Sequence, residues 1–266
     1  MTGTIGMLKK LDQDTQDFYK KTLTLLVDSG IPFMLGGAYA LSQFMDFERH
    51  TRDLDVFVYR KDAERILKVL ADTGFKTEMM FPHWLGKAFS GEDYVDVIFS
   101  SGNGIAEVDE EAFAHSKPAQ LLGIEVKALS AEDIIWSKAF IMERERFDGA
   151  DIAHLLRACG HQLDWTRLLR RFDSHWRVLF SHLILFGFIY PSHQSQIPDW
   201  VMDQLLAKTC AEIKEKPQTE KVCRGTLLSR GQYLVDVDKW QYADGRLDPG
   251  GHMTAKDIAH WTAAIE

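Results

Sequence analysis

Asp53-Leu54-Asp55-Val56-Phe57-Val58 alternates with a period of two, so in an extended chain Leu54, Val56 and Val58 face one side while Asp53, Asp55 and Phe57 face the other. Such a segment reads as a strand with one face in a core and two carboxylates on the opposite face. A Gly-Gly pair, Gly36 and Gly37, lies upstream. Downstream, a third carboxylate, Asp96, sits inside the apolar run Tyr94 to Phe99.

The surrounding pattern is one of alternating helices and strands. Leu11 to Ser29 has apolar residues at Phe18, Leu23, Leu25 and Leu26 with charges between, an amphipathic helix ended by Gly30. Pro32 to Leu35 is a short strand feeding the glycines, and Ala38 to Phe44 a helix after them. Asp62 to Thr73 is a further helix closed by Gly74. Residues 76–90 hold strands, and Tyr94 to Phe99 is another. Up to Leu129 this predicts an α/β (α+β) domain, residues 1–129, with a small mixed sheet. Residues 130–266 then read as mostly helical. Ser130 to Asp133 resembles a capping box ahead of a helix over Ile134 to Arg146, followed by helical periodicity over Asp151 to Cys159, Trp165 to Tyr190 and Pro198 to Lys214. Thr226 to Asp238 is a helix or a short hairpin, and Thr254 caps a last helix.

A formal net charge of −8 argues against indiscriminate attraction to a polyanion, so any nucleic acid is expected to be held locally. Cys159, Cys210 and Cys223 are odd in number and far apart, with no zinc or redox spacing, which fits a reducing cytoplasm. The run Val178 to Tyr190 contains His182 and falls short of the ~20 residues a membrane span needs, so it is expected to be a buried helix. No membrane partner is expected.

Three acids and a glycine pair point to phosphate chemistry. Asp53 and Asp55 project from one strand face, and Asp96 joins them if its strand pairs alongside. A Gly-Gly turn lets backbone approach phosphates closely. Alone, a Gly-Gly pair is an ordinary turn and an Asp-x-Asp a solvated edge. Together they form a pattern that packing does not ask for, because like charges held close cost stability unless a cation offsets them. Divalent ions held by such acids can clamp the attacking and leaving oxygens of an in-line transfer at an α-phosphorus.

Leu-Gly-Gly-Ala-Tyr-Ala-Leu at 35–41, Thr-Arg-Asp-Leu-Asp-Val at 51–56 and Val-Asp-Val-Ile-Phe at 95–99 resemble the three core motifs of the nucleotidyltransferase (polymerase β-like) superfamily. The nearest branch is similar to the minimal nucleotidyltransferases of the AbiEii abortive-infection toxin type. Its helix lysine and later aspartate are matched by Lys138 in Ser130-Ala-Glu-Asp-Ile-Ile-Trp-Ser-Lys138 and by a stretch ending at Asp151. The basic residue usual before the final acid is replaced by Phe147-Asp148, which leaves Asp148 and Asp151 both open as the equivalent. The resemblance implies Mg2+, two ions, as cofactor and a nucleoside triphosphate as donor. It implies Asp53, Asp55 and Asp96 as metal ligands and catalytic residues, Asp96 also as the base on an acceptor hydroxyl, and Lys138 as the neutraliser of transition-state charge. Gly36, Gly37, Arg52 and Asp151 would bind the nucleotide. Arg52 is equally readable as one half of an ion pair.

The acceptor is less defined. A toxin-like role implies RNA (tRNA) or protein as acceptor, and an antitoxin as partner. Lys138, Arg144, Arg146, Arg157, Arg167, Arg170, Arg171 and Arg177 outnumber the acids between them and interleave with Trp165, His175 and Trp176, as in a single-strand RNA surface. An amphipathic helix with a wet arginine side gives the same pattern. An antibiotic-type small-molecule transferase and a non-catalytic nucleotide-binding module are the alternatives. His50 and His83 lie nearest the motifs.

Overall fold

Asp12 accepts a hydrogen bond from the Thr15 amide and caps helix α1 (Gln13–Asp28), which closes just before Gly30 at φ 66°. The computed structural model describes residues 11–45, 53–215, 220–247 and 251–264. The chain divides into two units, residues up to 130 together with 252–264, and residues 131–251.

In the first unit α1 is followed by β1 (Phe33–Leu35), α2 (Gly37–Leu41), β2 (Asp53–Val58), α3 (Arg60–Asp72), β3 (Lys76–Phe81), β4 (Leu85–Ser90), β5 (Asp93–Ile98), α4 (Glu110–His115), β6 (Lys117–Leu121) and β7 (Ile124–Ala128). The strands make one mixed seven-stranded sheet in the order β3-β4-β5-β2-β1-β7-β6. β2 and β5 run parallel, as do β1 and β7, and the other neighbours are antiparallel. Leu54, Val56, Val58, Ala88, Val95 and Val97 are fully buried, with α1 and α3 packed on these strands. Burying each branched side chain contributes roughly 1.5–3 kcal/mol before the cost of ordering it. The alternation of β2 therefore fixes which face is core, and Asp53, Asp55 and Phe57 are left half-buried on the other. β6 and β7 join through Leu122 and Gly123, both at positive φ. Leucine is unusual in such a primed turn, so this hairpin carries little signal in the sequence.

The second unit is mostly helical: α5 (Ala131–Lys138), α6 (Gly149–Cys159), α7 (Trp165–Phe172), α8 (Trp176–Ile189) and α9 (Asp199–Lys214) lead to the two-residue strand β8 (Val222–Cys223), the short helix α10 (Leu234–Asp238) and β9 (Ala243–Asp244), which pairs with β8. The last helix, α11 (Ala255–Ala263), opens on a reciprocal Thr254–Asp257 capping box and belongs with the first unit.

Three expectations change. The helix over Ile134 to Arg146 stops at Lys138, because the Met142 amide donates to the Leu228 carbonyl and Met142 bridges Phe147, replacing helical bonds. Trp165 to Tyr190 is two helices, broken at Asp173, which adopts φ 34°. The run Val178 to Tyr190 buries only a stripe, Leu179, His182, Leu183 and Phe186, while Ile184 and Phe188 are 53% and 84% exposed. Among the described residues no helix is long and apolar enough to cross a membrane.

Candidate active site

Parallel pairing sets Asp53 opposite Tyr94 and Asp55 opposite Asp96. On the far side of β5, antiparallel pairing sets Lys87 of β4 opposite Asp96. Because side chains directly opposite share a face, all three acids and Lys87 gather on the sheet face away from the buried valines. Asp93 has the opposite parity, and the Thr15 hydroxyl of α1 donates to its two carboxylate oxygens at 3.0 and 3.1 Å.

The electrostatics of this face follow from crowding like charges. Burial, reinforced by the neighbouring charge of Asp53, raises the Asp96 carboxyl above the ordinary aspartate range, although the adjacent Lys87 pulls the other way. The Lys87 ammonium lies 2.7 Å from Asp96 Oδ1 and 3.8 Å from the Tyr94 ring centroid. Tyr94 in turn hydrogen-bonds Asp53, and burial together with that bond drives its phenol pKa upward. Tyr39 of α2 is pushed up by burial and then by Asp55 and Asp53. Lys87 and two neutral phenols thus temper the negative charge on this face.

The glycine pair serves this arrangement directly. The Gly36 amide donates to the Asp55 carbonyl at 2.9 Å, pinning the turn to β2, so this N–H is engaged within the protein. A Cβ on Gly37, whose φ is 50°, would stand 1.7 Å from Asp55 Oδ2. Only glycine leaves room for that carboxylate. The expected cradle therefore doubles as the slot that admits Asp55.

The donor set suits a divalent cation, since hard carboxylate oxygens come from adjacent strands and share one sheet face. In the arrangement seen, no three His, Cys, Asp or Glu side chains among the described residues converge as a finished cage. Lys87 stands at Asp96 where a cation would otherwise balance the charge.

In the second unit Lys138 is not a solvated helix lysine. Its ammonium sits 2.6 Å from Asp148 Oδ2 and 2.8 Å from Asp151 Oδ2, with the three side chains 12%, 5% and 7% exposed. Both acids left open by the sequence thus meet the same lysine. Arg146 adds a bidentate pair to Asp148, both bonds 2.9 Å. Burial alone would raise the Asp148 pKa, but Arg146 and Lys138 outweigh it and hold the carboxyl at about 2. Much of the expected basic stripe is likewise engaged. Arg167 and Arg171 are buried against Asp133, at 2.7 and 3.2 Å, and Arg177 pairs with Glu212. Trp165 is buried, donating to the Gly160 carbonyl.

Asp53, Asp55 and Asp96 are thus brought together in one unit, and Lys138 with Asp151 in the other. Arg52 and His50 lie outside the described residues. His83 is buried in the first unit, bonded to the Gly102 carbonyl and beside Trp261 of α11. Lys87, Tyr94 and Tyr39 were not singled out from sequence. Lys87 had one usable signal, its place on a strand two positions from Phe89 and Leu85, but the partner strand that gives it meaning is set only by packing.

No family model matches the chain, and no curated protein matches it. Among solved structures, it is similar to the antibiotic-resistance factor ANT(2'')-Ia, with 18% identity over 65% of this chain and 98% of that one at a TM-score of 0.47. It is also similar to an antigenic nucleotidyltransferase-like protein from Paracoccidioides brasiliensis, with 15% identity, 70% and 95% coverage and a TM-score of 0.47. A third is the lincosamide antibiotic adenylyltransferase LnuA, with 15% identity, 55% and 96% coverage and a TM-score of 0.38. At these values the likenesses decide neither activity nor substrate, and the case for a function stands on the chain's own residues.

Proposed function

We propose that the chain is a metal-dependent nucleotidyltransferase that moves a nucleoside monophosphate from a nucleoside triphosphate to an acceptor hydroxyl, with RNA or protein as acceptor. The observation that carries this reading is the direct opposition of Asp55 and Asp96 on parallel strands, with Asp53 two residues along the same face. Gathering three acids on one face costs stability that a bound cation would relieve, alongside the Lys87 and Tyr94 contacts already there. Bound Mg2+ would supply charge neutralisation at the triphosphate and an acidified acceptor hydroxyl.

The chain's own residues have defined tasks in this scheme. Asp53, Asp55 and Asp96 would hold the cations. Asp96 is also assigned as the group that accepts the acceptor hydroxyl's proton. Gly37, lacking a side chain, leaves the room beside the turn that the Asp55 carboxylate occupies. Lys138 and Asp151 are assigned to nucleotide charge and positioning, with the Lys138 ammonium seated between Asp148 and Asp151. Arg52 is assigned to phosphate. A toxin-like role with an antitoxin partner is the biological setting the sequence resemblance favours.

The test is incubation of the purified protein with each α-labelled nucleoside triphosphate and Mg2+, against total RNA, the protein itself and a panel of cationic antibiotics. Label is expected in RNA or protein and absent with Asp55→Ala. Label on an antibiotic instead would move the acceptor to a small molecule, and label nowhere would sink the transfer reading.

A further inference from the structure

Asp55, Asp96, Lys87 and Glu78 stand in one row across β2, β5, β4 and β3, each directly opposite the next. Residues directly opposite share a face, so a lysine lies between two carboxylates beside the candidate active site. It is committed to one of them. Its ammonium is 2.7 Å from Asp96 Oδ1, with the two side chains 18% and 16% exposed, whereas Glu78 is exposed and carries no ion pair among the described residues. Asp96 Oδ1 is buried and takes this ammonium as an ion contact rather than a hydrogen bond. A contact made by charge alone can be exchanged for another cation. Asp96 cannot keep both. A divalent ion bonds a carboxylate oxygen at about 2.0–2.6 Å, and at either oxygen of Asp96 it would stand close enough to the ammonium for strong repulsion in a part-buried site.

Resting on the transfer reading above, we propose that Lys87 is an exchangeable counter-ion: it holds Asp96 until a divalent cation takes that carboxylate, and then passes to the phosphates of the nucleotide. Two anions compete for the released ammonium. Glu78 lies on its other side, but an exposed pair is screened by water and worth little. Phosphates held at the same acids bring several negative charges to this face, and an ammonium takes them in charge-assisted bonds. The phosphates win on magnitude. Tyr94, whose ring centroid is 3.8 Å from Lys87 Nζ, gives the ammonium a resting surface between its two partners. The consequence is coupling. A cation alone binds weakly because it must evict Lys87, and a nucleotide arriving with the cation gains the lysine that the cation has released.

The experiment reads binding rather than turnover, on the full chain. Mn2+ binding without nucleotide is followed by the EPR signal of the free ion. Calorimetry at saturating Mn2+ then measures the α,β-methylene analogues of the four ribonucleoside triphosphates, which cannot transfer. Lys87→Met should tighten Mn2+ about ten-fold and weaken the bound analogue by about ten-fold or more. A lysine with a merely structural role would weaken both. Lys87→Arg, which keeps the charge, should stay nearer the parent than Lys87→Met in both measurements. The parent itself supplies a readout that no loss of folding can obscure: reductive methylation of Lys87, read by mass spectrometry, should rise when Mn2+ is added and fall again with the analogue. Mn2+ affinity unchanged or weakened in Lys87→Met, analogue affinity unchanged in it, or methylation indifferent to Mn2+ overturns the proposal and leaves the transfer reading standing. A parent that binds Mn2+ no better than Asp55→Ala does sinks both.

Discussion

Asp55 and Asp96 stand directly opposite one another on neighbouring parallel strands, with Lys87 opposite Asp96 on its other side and 2.7 Å from its carboxylate. Acids held on one sheet face repel, and Lys87 offsets part of that cost at Asp96. This cost is what the proposed cations would relieve, and it makes the pair testable by stability as well as by turnover.

Asp53→Ala and Asp55→Ala are expected to abolish nucleotidyl transfer; Asp55→Ala should leave the melting temperature unchanged or raised because it removes one repelling charge, whereas Asp53→Ala also takes the acceptor from Tyr94 and should melt lower than Asp55→Ala. The paired measurement is label transfer and thermal melting on the same preparation. An alanine variant that transfers label as fast as the parent removes these acids from the mechanism.

Lys87→Met takes away the ammonium that balances Asp96 in the arrangement seen. We predict a loss on the order of 1–3 kcal/mol in EDTA, the cost of leaving a part-buried charged group without its partner. Added Mg2+ should restore more stability to this variant than to the parent, since the cation takes the vacated charge position. Equal stabilisation of variant and parent by Mg2+ would argue against a cation at Asp96.

Gly37→Ala puts a methyl where Asp55 Oδ2 lies and asks alanine to hold φ 50°. Strain of about 1–3 kcal/mol, or a displaced Asp55, is expected, and with it loss of transfer. Chemical denaturation and the labelling assay together decide it; a Gly37→Ala enzyme with parental stability and rate would show that the close approach is relaxed in solution.

Lys138→Met should cost roughly 3 kcal/mol, toward the low end for a broken buried ion pair because Arg146 remains on Asp148. Adding Asp151→Asn to Lys138→Met should recover part of the loss. If the single variant unfolds at the parental denaturant midpoint, the cluster is not holding α5 to α6. This structural cost also means that activity lost in Lys138 variants has to be read against their stability.

The stability supplied by His83, His182 and Asp148 should fall in two stages as the solution is acidified, while the raised Asp96 carboxyl gives back some stability as it takes up its proton. His83 and His182 are buried and each bonds a backbone carbonyl, and burial lowers both pKa values despite those bonds. The unfolded chain therefore takes up protons first, so their contribution is full above about pH 6.5 and declines below it. Around His83 the charges of Asp257, Arg60 and His260 partly oppose one another. Asp148, held at about 2, contributes fully above about pH 4 and loses that contribution as pH falls toward 2. Urea midpoints measured from pH 8 to 2.5 in the parent and in Asp96→Asn, which lacks the opposing carboxyl, check this; a midpoint that rises between pH 7 and 5 in Asp96→Asn would contradict it.

Legibility followed locality. The β2 alternation, the cap at Thr254 and the stop at Gly30 were readable because each depends on neighbours within a few residues. The opposite parity of Asp93 was readable for the same reason, and Thr15 now shows where it points. The break at Asp173 was not, because apolar periodicity runs on through both α7 and α8 and the residue at the kink is not glycine. Nor was the engagement of Arg167 and Arg171, since a wet arginine side and a buried arginine pair look alike until Asp133 is seen between them.

By itself the sequence determined that Asp53 and Asp55 share a strand face opposite a valine-lined core, since side-chain alternation is a property of the extended backbone alone. Only the tertiary structure decided that β5 lies beside β2 in the register that sets Asp96 against Asp55, that Lys87 joins them from β4, and that Lys138 meets both Asp148 and Asp151. Strand order and ion-pair partners are choices among segments far apart in the chain, made by the packing of whole faces, and no local period encodes them.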